Sequence, residues 1–203
     1  MTRAMLSRTA GEAPDDEMRH LLYALVMPRP IAWVSTLSAD GVANLAPHSF
    51  FNAVSGVPPV VMFASTRPHG GGEARKDTLR NVLETGEFVV NLVSRDMAEA
   101  MNATSETVPA AVDEFVLAGL EKRPSVCVKP FRVAEAAAAL ECRLHSTAEV
   151  GDATVVYGSV VHISVAEDVM TNGRPDSRKL SPVSRLGGSL YADLGDIFSM
   201  KRP

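Results

Sequence analysis

The pattern of apolar and polar residues along the chain predicts a mainly β protein with helices inserted between the strands. Short apolar or alternating runs, bounded by turn-forming residues, predict six strands. These strands cover about residues 31–37, 42–46, 60–64, 87–93, 140–150 and 154–165. Turns such as Asp40-Gly41 favour antiparallel hairpins over a doubly wound parallel sheet. We therefore expect a six-stranded antiparallel barrel that carries helices.

Helical spacing of apolar residues predicts four helices around these strands. They cover about residues 15–27, 77–85, 94–102 and 112–118. The second helix has Asp77 or Thr78 as its N-terminal cap and stops at Gly86. Residues 134–142 are ambiguous, because four consecutive alanines favour a helix while Leu140 and Cys142 continue an alternating strand pattern. We interpret them as leading into a strand.

Length and charge limit the classes of protein that this chain can belong to. A length of 203 residues suits one domain, which we place at 15–203 after a flexible N-terminal tail at 1–14. The formal net charge of −4, with scattered Lys and Arg residues, makes a nucleic-acid partner unexpected. No stretch resembles a signal peptide or a membrane span, so we expect a cytoplasmic protein that has no membrane partner.

Familiar catalytic and metal-binding motifs are missing from the sequence. There is no P-loop, no GxSxG and no HExxH, and no histidines are spaced as metal ligands. Cys127 and Cys142 lack CxxC spacing, and we expect both to be buried free thiols. No catalytic side chain and no metal ligand can therefore be assigned, and any redox chemistry would have to come from a bound cofactor.

Two polar stretches are candidates for ligand binding. Pro47 is expected to interrupt its strand and to leave backbone near 48–52 free for a ligand. His48 could then be a contact to a ring edge, a general acid or merely a surface histidine. The cationic stretch 67–76, which leads into a helix start, could bind a phosphate. On the residues alone, however, a simple helix cap with solvated Arg75 and Lys76 is the favoured interpretation.

Several sequence blocks, in order and at characteristic spacing, resemble one family. These are PRPIAWVST at 28–36, NLAPHSFFN at 44–52, KDTLRN at 76–81 and EFVVN at 87–91, followed by further matches at 112–115, 140–142 and 185–189. With these blocks the chain resembles the flavin reductase-like family of FMN-binding split-barrel proteins. The resemblance implies a homodimer of six-stranded split barrels, with FMN rather than FAD bound between one barrel and the partner subunit.

The resemblance also implies which residues contact the flavin. The segment after the first hairpin would follow the isoalloxazine and the ribityl chain, the first strand would lie nearby, and Lys76 and Thr78 would hold the phosphate. This makes the phosphate hypothesis the favoured one. The full set implied by the resemblance is Trp33, Ser35, Thr36, Asn44, Ser49, Phe50, Asn52, Ser65, Thr66, Lys76, Thr78 and Arg185.

The function implied by the resemblance is an NAD(P)H:flavin reductase, in which NADH or NADPH passes a hydride to the flavin. A flavin-dependent oxygenase or an electron-transfer protein could receive the electrons. Two alternatives stay open at this stage. One is a flavoredoxin-like one-electron carrier with protein partners, and the other is a flavin-binding scaffold whose cofactor does not turn over.

Overall fold

Five α-helices occur in the part of the chain that the structure, a computed structural model, describes, namely residues 3–67 and 75–201. They are α1 (Asp15–Leu25), α2 (Asp77–Thr85), α3 (Ala98–Ala103), α4 (Glu114–Leu117) and α5 (Ser177–Leu180). Short 3-10 turns cover Arg95–Met97 and Glu167–Val169. None of the helices in this part of the chain is both long and apolar enough to cross a membrane.

Seven strands form the main sheet, and every neighbouring pair in it is antiparallel. In chain order they are β2 (Ala32–Leu37), β3 (Ala43–His48), β4 (Phe51–Gly56), β5 (Pro59–Thr66), β6 (Glu87–Asn91), β9 (Ala138–Val150) and β10 (Ala153–Val165). Their order across the sheet is β3-β2-β6-β9-β10-β5-β4. Small ribbons are formed by β1 (Arg29–Pro30), β7 (Lys122–Arg123), β8 (Arg132–Val133), β11 (Met170–Thr171), β12 (Arg174–Pro175), β13 (Ser184–Arg185) and β14 (Tyr191–Ala192).

The sheet curls until its two sides meet, which makes it a split barrel. His48, at the end of β3, has its ring centroid 4.8 Å from that of Phe63 on β5, although these strands lie far apart in the sheet order. The expected antiparallel barrel with inserted helices is confirmed. The sheet has seven strands instead of six, because β4 pairs with the outer side of β5. Its residues are mostly exposed, so they lack the apolar pattern of a strand.

Pro47 does not interrupt its strand, so that expectation was wrong. It pairs opposite Trp33 within β3. Since β3 lies at the edge of the sheet, a residue without a backbone N–H is tolerated there. The ambiguous alanine-rich segment is resolved by pairing: β9 starts at Ala138 and lies between β6 and β10, so tertiary contacts override helix propensity.

The helix predictions hold in outline, with one correction at the start of α2. The helix ends at Gly86, which has a φ of 72°, as the sequence predicts. Asp77 and Thr78 are not its caps, however, because they lie inside its first turn. Lys76 occupies the cap position, and its side chain makes no capping hydrogen bond. Within the described part of the chain, the first backbone N–H groups of α2 therefore have no side-chain acceptor at the cap position.

Two apolar cores lie on opposite faces of β2. The interior core contains Ala32 and Val34 of β2 and residues of α2, while the outer core contains Ile31 and Trp33 under α3 and α4. Because β2 is buried on both faces, successive residues along it belong to different cores. Cys142 is buried in the interior core as expected, but Cys127 is exposed, so that half of the thiol prediction was wrong.

Gly158 on β10 allows the ring of Phe88 to approach the backbone closely. A Cβ added at Gly158 would overlap that ring and would lie 3.2 Å from the Cβ of Cys142. Phe88 is fully buried and packs edge-on against Phe63, with ring centroids 5.4 Å apart. The interior core therefore depends on the absence of a side chain at this position.

We expect Gly158→Ala to lower the free energy of unfolding by about 1–3 kcal/mol, because overpacking forces Phe88 out of its site. Chemical denaturation followed by circular dichroism measures this difference. Gly56→Ala is the matched control, since its added Cβ meets no heavy atom within 4 Å and should change stability by less than about 0.5 kcal/mol. Equal effects of the two variants would contradict this account of the core.

Candidate functional site

Polar side chains collect inside the barrel along β3, towards the ends of β2 and β5 and at the start of α2. Inward-facing positions that are apolar earlier on β2 become polar here, beginning with Thr36. The cluster consists of Thr36, Asn44, His48, Ser65, Thr78 and Asn81, all of them buried. Burying such polar groups in an apolar core costs free energy unless their atoms are hydrogen-bonded.

Asn44 is the centre of a hydrogen-bond network that joins strand and helix. Its Oδ1 accepts from Thr78 Oγ1 at 2.9 Å and from Thr36 Oγ1 at 3.2 Å. Asn81 Nδ2 donates to Thr36 Oγ1 at 3.0 Å. The hydroxyls of Thr36 and Thr78 are thus bonded to protein groups and hold α2 against β2 and β3.

Glu114 completes this network from α4, and the sequence analysis did not select it. Asn44 Nδ2 donates to its Oε1 at 2.8 Å, and the N–H of Leu45 donates to its Oε2 at 3.2 Å. Burial raises the pKa of Glu114, although the bonds from Asn44 and Leu45 favour the charged form. The available signals were its place in the matching block at 112–115 and its position beside Asp113, which caps α4. Its contact with Asn44 spans 70 residues of sequence.

Three atoms of the cluster are buried without a hydrogen-bond partner among the described residues: His48 Nε2, Ser65 Oγ and, within the Asn44 network, Asn81 Oδ1. His48 is 7% exposed and Ser65 is 3% exposed. Both lie next to Phe63, since the His48 ring packs on it and Ser65 follows two positions later on the same face of β5. Buried polar atoms without partners are rare in native proteins. His48 and Ser65 therefore point to a ligand at the open end of β5.

Positive charge lies beside His48. Burial is the main cause that lowers the pKa of His48, the charge of Lys76 adds to it, and the pKa is about 4. A backbone hydrogen bond with Ala64 acts in the opposite direction. Burial also lowers the pKa of Lys76, although this residue as a whole is exposed. At neutral pH His48 is an uncharged ring next to a cation and the uncapped start of α2, an arrangement that favours an anion.

The structure places two of the expected flavin contacts elsewhere. Trp33 and Ser35 face the outer side of β2 and are fully buried. Trp33 Nε1 donates to Thr104 Oγ1 at 2.9 Å, and Ser35 Oγ donates to a backbone carbonyl. A residue one position along a strand points to the opposite face, so neither side chain reaches the interior cluster. We therefore remove both from the candidate site.

Other expected contacts lie around the cluster. Ser49 and Phe50 form the bend between β3 and β4, and Phe50 packs edge-on against Tyr23 at 5.1 Å between centroids. Asn52 is exposed on β4, where its Oδ1 accepts from the next backbone N–H. Thr66 ends β5 and is half-buried. Of the cationic stretch expected to bind phosphate, residues 68–74 lie outside the described part of the chain.

Arg185 belongs to a different region of the surface. Its guanidinium lies over the ring of Tyr191 at 4.5 Å and bonds to the hydroxyl of that residue. It lines a cavity of about 720 Å³ together with Arg95, Asn102 and Tyr191. None of the six cluster residues lines this cavity. The structure does not bring Arg185 together with the other candidates.

The described residues contain no group of three or more His, Cys, Asp or Glu side chains that could hold a metal ion. The interior cluster is instead suited to an uncharged or anionic organic ligand. It offers hydrogen bonds at His48 and Ser65 and a cation at Lys76.

Comparison with known proteins identifies a matching protein family. Residues 23–180 match the family model described as a flavin reductase like domain. A flavin reductase (NADH) from Kitasatospora aureofaciens is 31% identical over 156 residues, which cover 77% of this chain and 75% of that protein.

Solved structures agree with this match. Nitrilotriacetate monooxygenase component B from Bacillus cereus has a TM-score of 0.91 and 35% identity, covering 98% of this chain and 100% of that one. The 2-nitrobenzoate 2-nitroreductase NbaA from Pseudomonas fluorescens has a TM-score of 0.87 and 28% identity, covering 98% and 96% respectively.

The depressed pKa of His48 predicts a pH-dependent stability of the protein without flavin. Between about pH 6.5, where an unfolded histidine titrates, and about pH 4, only the unfolded state binds this proton. The free energy of unfolding should therefore fall, by up to about 3 kcal/mol, as the pH is lowered through this range. The His48→Phe variant should lack the part of this pH dependence that comes from the histidine. Urea denaturation at a series of pH values compares the two proteins, and parallel pH profiles would exclude a buried neutral His48.

Proposed function

Because this chain belongs to the flavin reductase like family, we propose that it is an FMN-dependent oxidoreductase that accepts hydride from NADH or NADPH. Membership of this family supports a flavin-related oxidoreductase. The observation that supports a flavin at this particular place is that His48 Nε2 and Ser65 Oγ, on the side of Lys76, have no hydrogen-bond partner within residues 3–67 and 75–201. The relative named a flavin reductase (NADH) supports the choice of a nicotinamide donor.

The residues present fit FMN. Lys76 and the uncapped start of α2 would hold its phosphate, and Ser65 would bond to a hydroxyl of the ribityl chain. The segment 49–52 and Thr66 would lie along the ring system. One phosphate site suits FMN better than FAD. When bound, the flavin supplies the chemistry of hydride acceptance, and the protein supplies binding and orientation.

The side chains of the cluster orient the ligand and do not need to act as acids. Thr36, Asn44 and Thr78 are bonded to one another, so they fix the distance between β3 and the start of α2. In the protein without ligand His48 is uncharged at neutral pH, which makes it a poor general acid, and its Nε2 is available as a hydrogen-bond partner for a ligand. Of the alternatives open for His48, we therefore favour the ligand contact.

We further propose that a second copy of the chain covers α1 and β4. No residue of α1 is buried, and its Leu22 and Leu25 are 56% and 75% exposed. On the neighbouring edge, Val54 of β4 is 52% exposed. Exposed apolar side chains of this kind mark an interaction surface. The solved relative that is component B of a monooxygenase supports an oxygenase as a further partner of the reduced flavin.

The first test is the visible spectrum of the purified protein with FMN, recorded without oxygen before and after NADH and then NADPH. We expect rapid bleaching of the flavin absorbance by one of the two, because the nicotinamide passes its hydride to the ring. A yellow protein that neither nucleotide bleaches would indicate an electron carrier. A protein that stays colourless with FMN present would contradict flavin binding altogether.

We expect Lys76→Ala to weaken FMN binding by about 1–3 kcal/mol, the usual cost of a lost charge-assisted hydrogen bond. Quenching of flavin fluorescence measures the Kd. Lys129→Ala is the matched control, because Lys129 lies beside Glu87, at the far end of α2 from the phosphate site. Equal Kd values for wild type and Lys76→Ala would refute the phosphate site.

A further inference from the structure

His48 is buried, and its Nε2 has no hydrogen-bond partner among the described residues. Its ring packs on Phe63 of β5, and Ala32 of β2 is its opposite residue in the sheet. Ser65, whose Oγ also has no partner in the part of the chain that the structure describes, lies on the same face of β5 as Phe63. The ring therefore borders the space that the proposed flavin would occupy.

The charges around this ring come from one direction. On the β2 and β5 sides the neighbours Ala32, Phe63 and Ser65 are uncharged. On the α2 side Lys76 is the charge that lowers the pKa of His48, while Asp77 forms an ion pair of 2.6 Å with Arg80. Burial is thus the main cause of the lowered pKa of His48, and Lys76 supplies the charge among the described residues that adds to it.

A phosphate bound beside Lys76 changes the net charge that faces His48 from positive to negative. A phosphate monoester carries close to two negative charges at neutral pH, so it more than compensates the single charge of Lys76. A negative charge within a few ångströms favours the protonated form of a histidine. A charged ring can then donate hydrogen bonds from both nitrogens, including the Nε2 that is otherwise unpartnered.

We propose that His48 is a proton-linked ligand-binding residue, which takes up one proton from solvent when a phosphate-bearing flavin binds beside Lys76 and then donates from Nε2 to that ligand. This inference rests on the proposed function, because it requires FMN at this site. It adds a residue and a pH response that flavin binding alone does not require.

The direction of the pH effect follows from linkage. Proton uptake on binding means that FMN affinity rises as the pH falls. If the bound phosphate returns His48 to the ordinary histidine range, near 6.5, the gain between about pH 8 and about pH 5.5 is about tenfold. The phosphate of FMN titrates in the same range, so a comparison with a variant that cannot take up this proton is needed.

The experiment measures the Kd for FMN across this pH range in wild type, His48→Asn and His48→Phe. Both variants bind the same phosphate, so its own titration cancels in the ratio to wild type. We expect the advantage of wild type to grow about tenfold towards low pH for FMN, and to stay constant for riboflavin, which lacks the phosphate. The two variants replace His48 with side chains of different polarity and size. Either variant that folds can serve as the reference that cannot take up the proton.

A second measurement needs no variant to fold. Ring ¹⁵N shifts of wild type labelled at histidine should show one ring changing from neutral to charged when FMN is added at about pH 6. The proposal would be overturned if the ratio of variant Kd to wild-type Kd for FMN were constant at all pH values, or if this ratio changed equally for riboflavin. Unchanged ¹⁵N shifts of the histidine rings would overturn it as well, and none of these results would contradict flavin binding. Failure of the wild type to bind FMN at any pH would overturn the proposed function as well.

Discussion

The hydrogen bonds of one buried side-chain amide, that of Asn44, fix how the elements around the candidate site are arranged. Asn44 is 6% exposed, and its side chain bonds to Thr36, Thr78 and Glu114. An unpaired amide in an apolar interior would cost several kcal/mol, so strand β3, helix α2 and helix α4 are held in the one arrangement that pairs all of its atoms. The start of α2, and with it Lys76, is therefore positioned by a network that the ligand does not need to provide.

Buried polar groups in the same interior differ in whether they have hydrogen-bond partners. Around Asn44 the side chains are bonded to one another, with only Asn81 Oδ1 left over, whereas His48 and Ser65 each have a buried side-chain atom without a partner among the described residues. Each such atom costs about 1–3 kcal/mol in the protein without ligand. The interior core around Phe63 and Phe88 offsets this cost. Removing His48 could therefore stabilise the empty protein while weakening its function, which is a common trade-off at binding sites.

Local patterns in the sequence predicted most elements but only part of the site. The strands, α2 and the stop at Gly86 follow from periodicity and from one residue with positive φ. β4 was missed because an exposed edge strand carries no apolar alternation. The side of β2 that Trp33 faces could not be read either, since burial on both faces removes that alternation. Glu114 was missed because its bond to Asn44 joins residues 70 positions apart.

The burial of β2 and β3 on two faces has a consequence for how this protein can diverge. Along both strands the odd-numbered residues, such as Trp33 and Leu45, build the outer core, and the even-numbered residues, such as Asn44 and His48, line the interior. A single substitution therefore reaches only one of the two sides. A substitution at an even position outside the Asn44 network and the interior core, such as His48, can therefore change ligand preference while the outer core built by the odd positions stays intact.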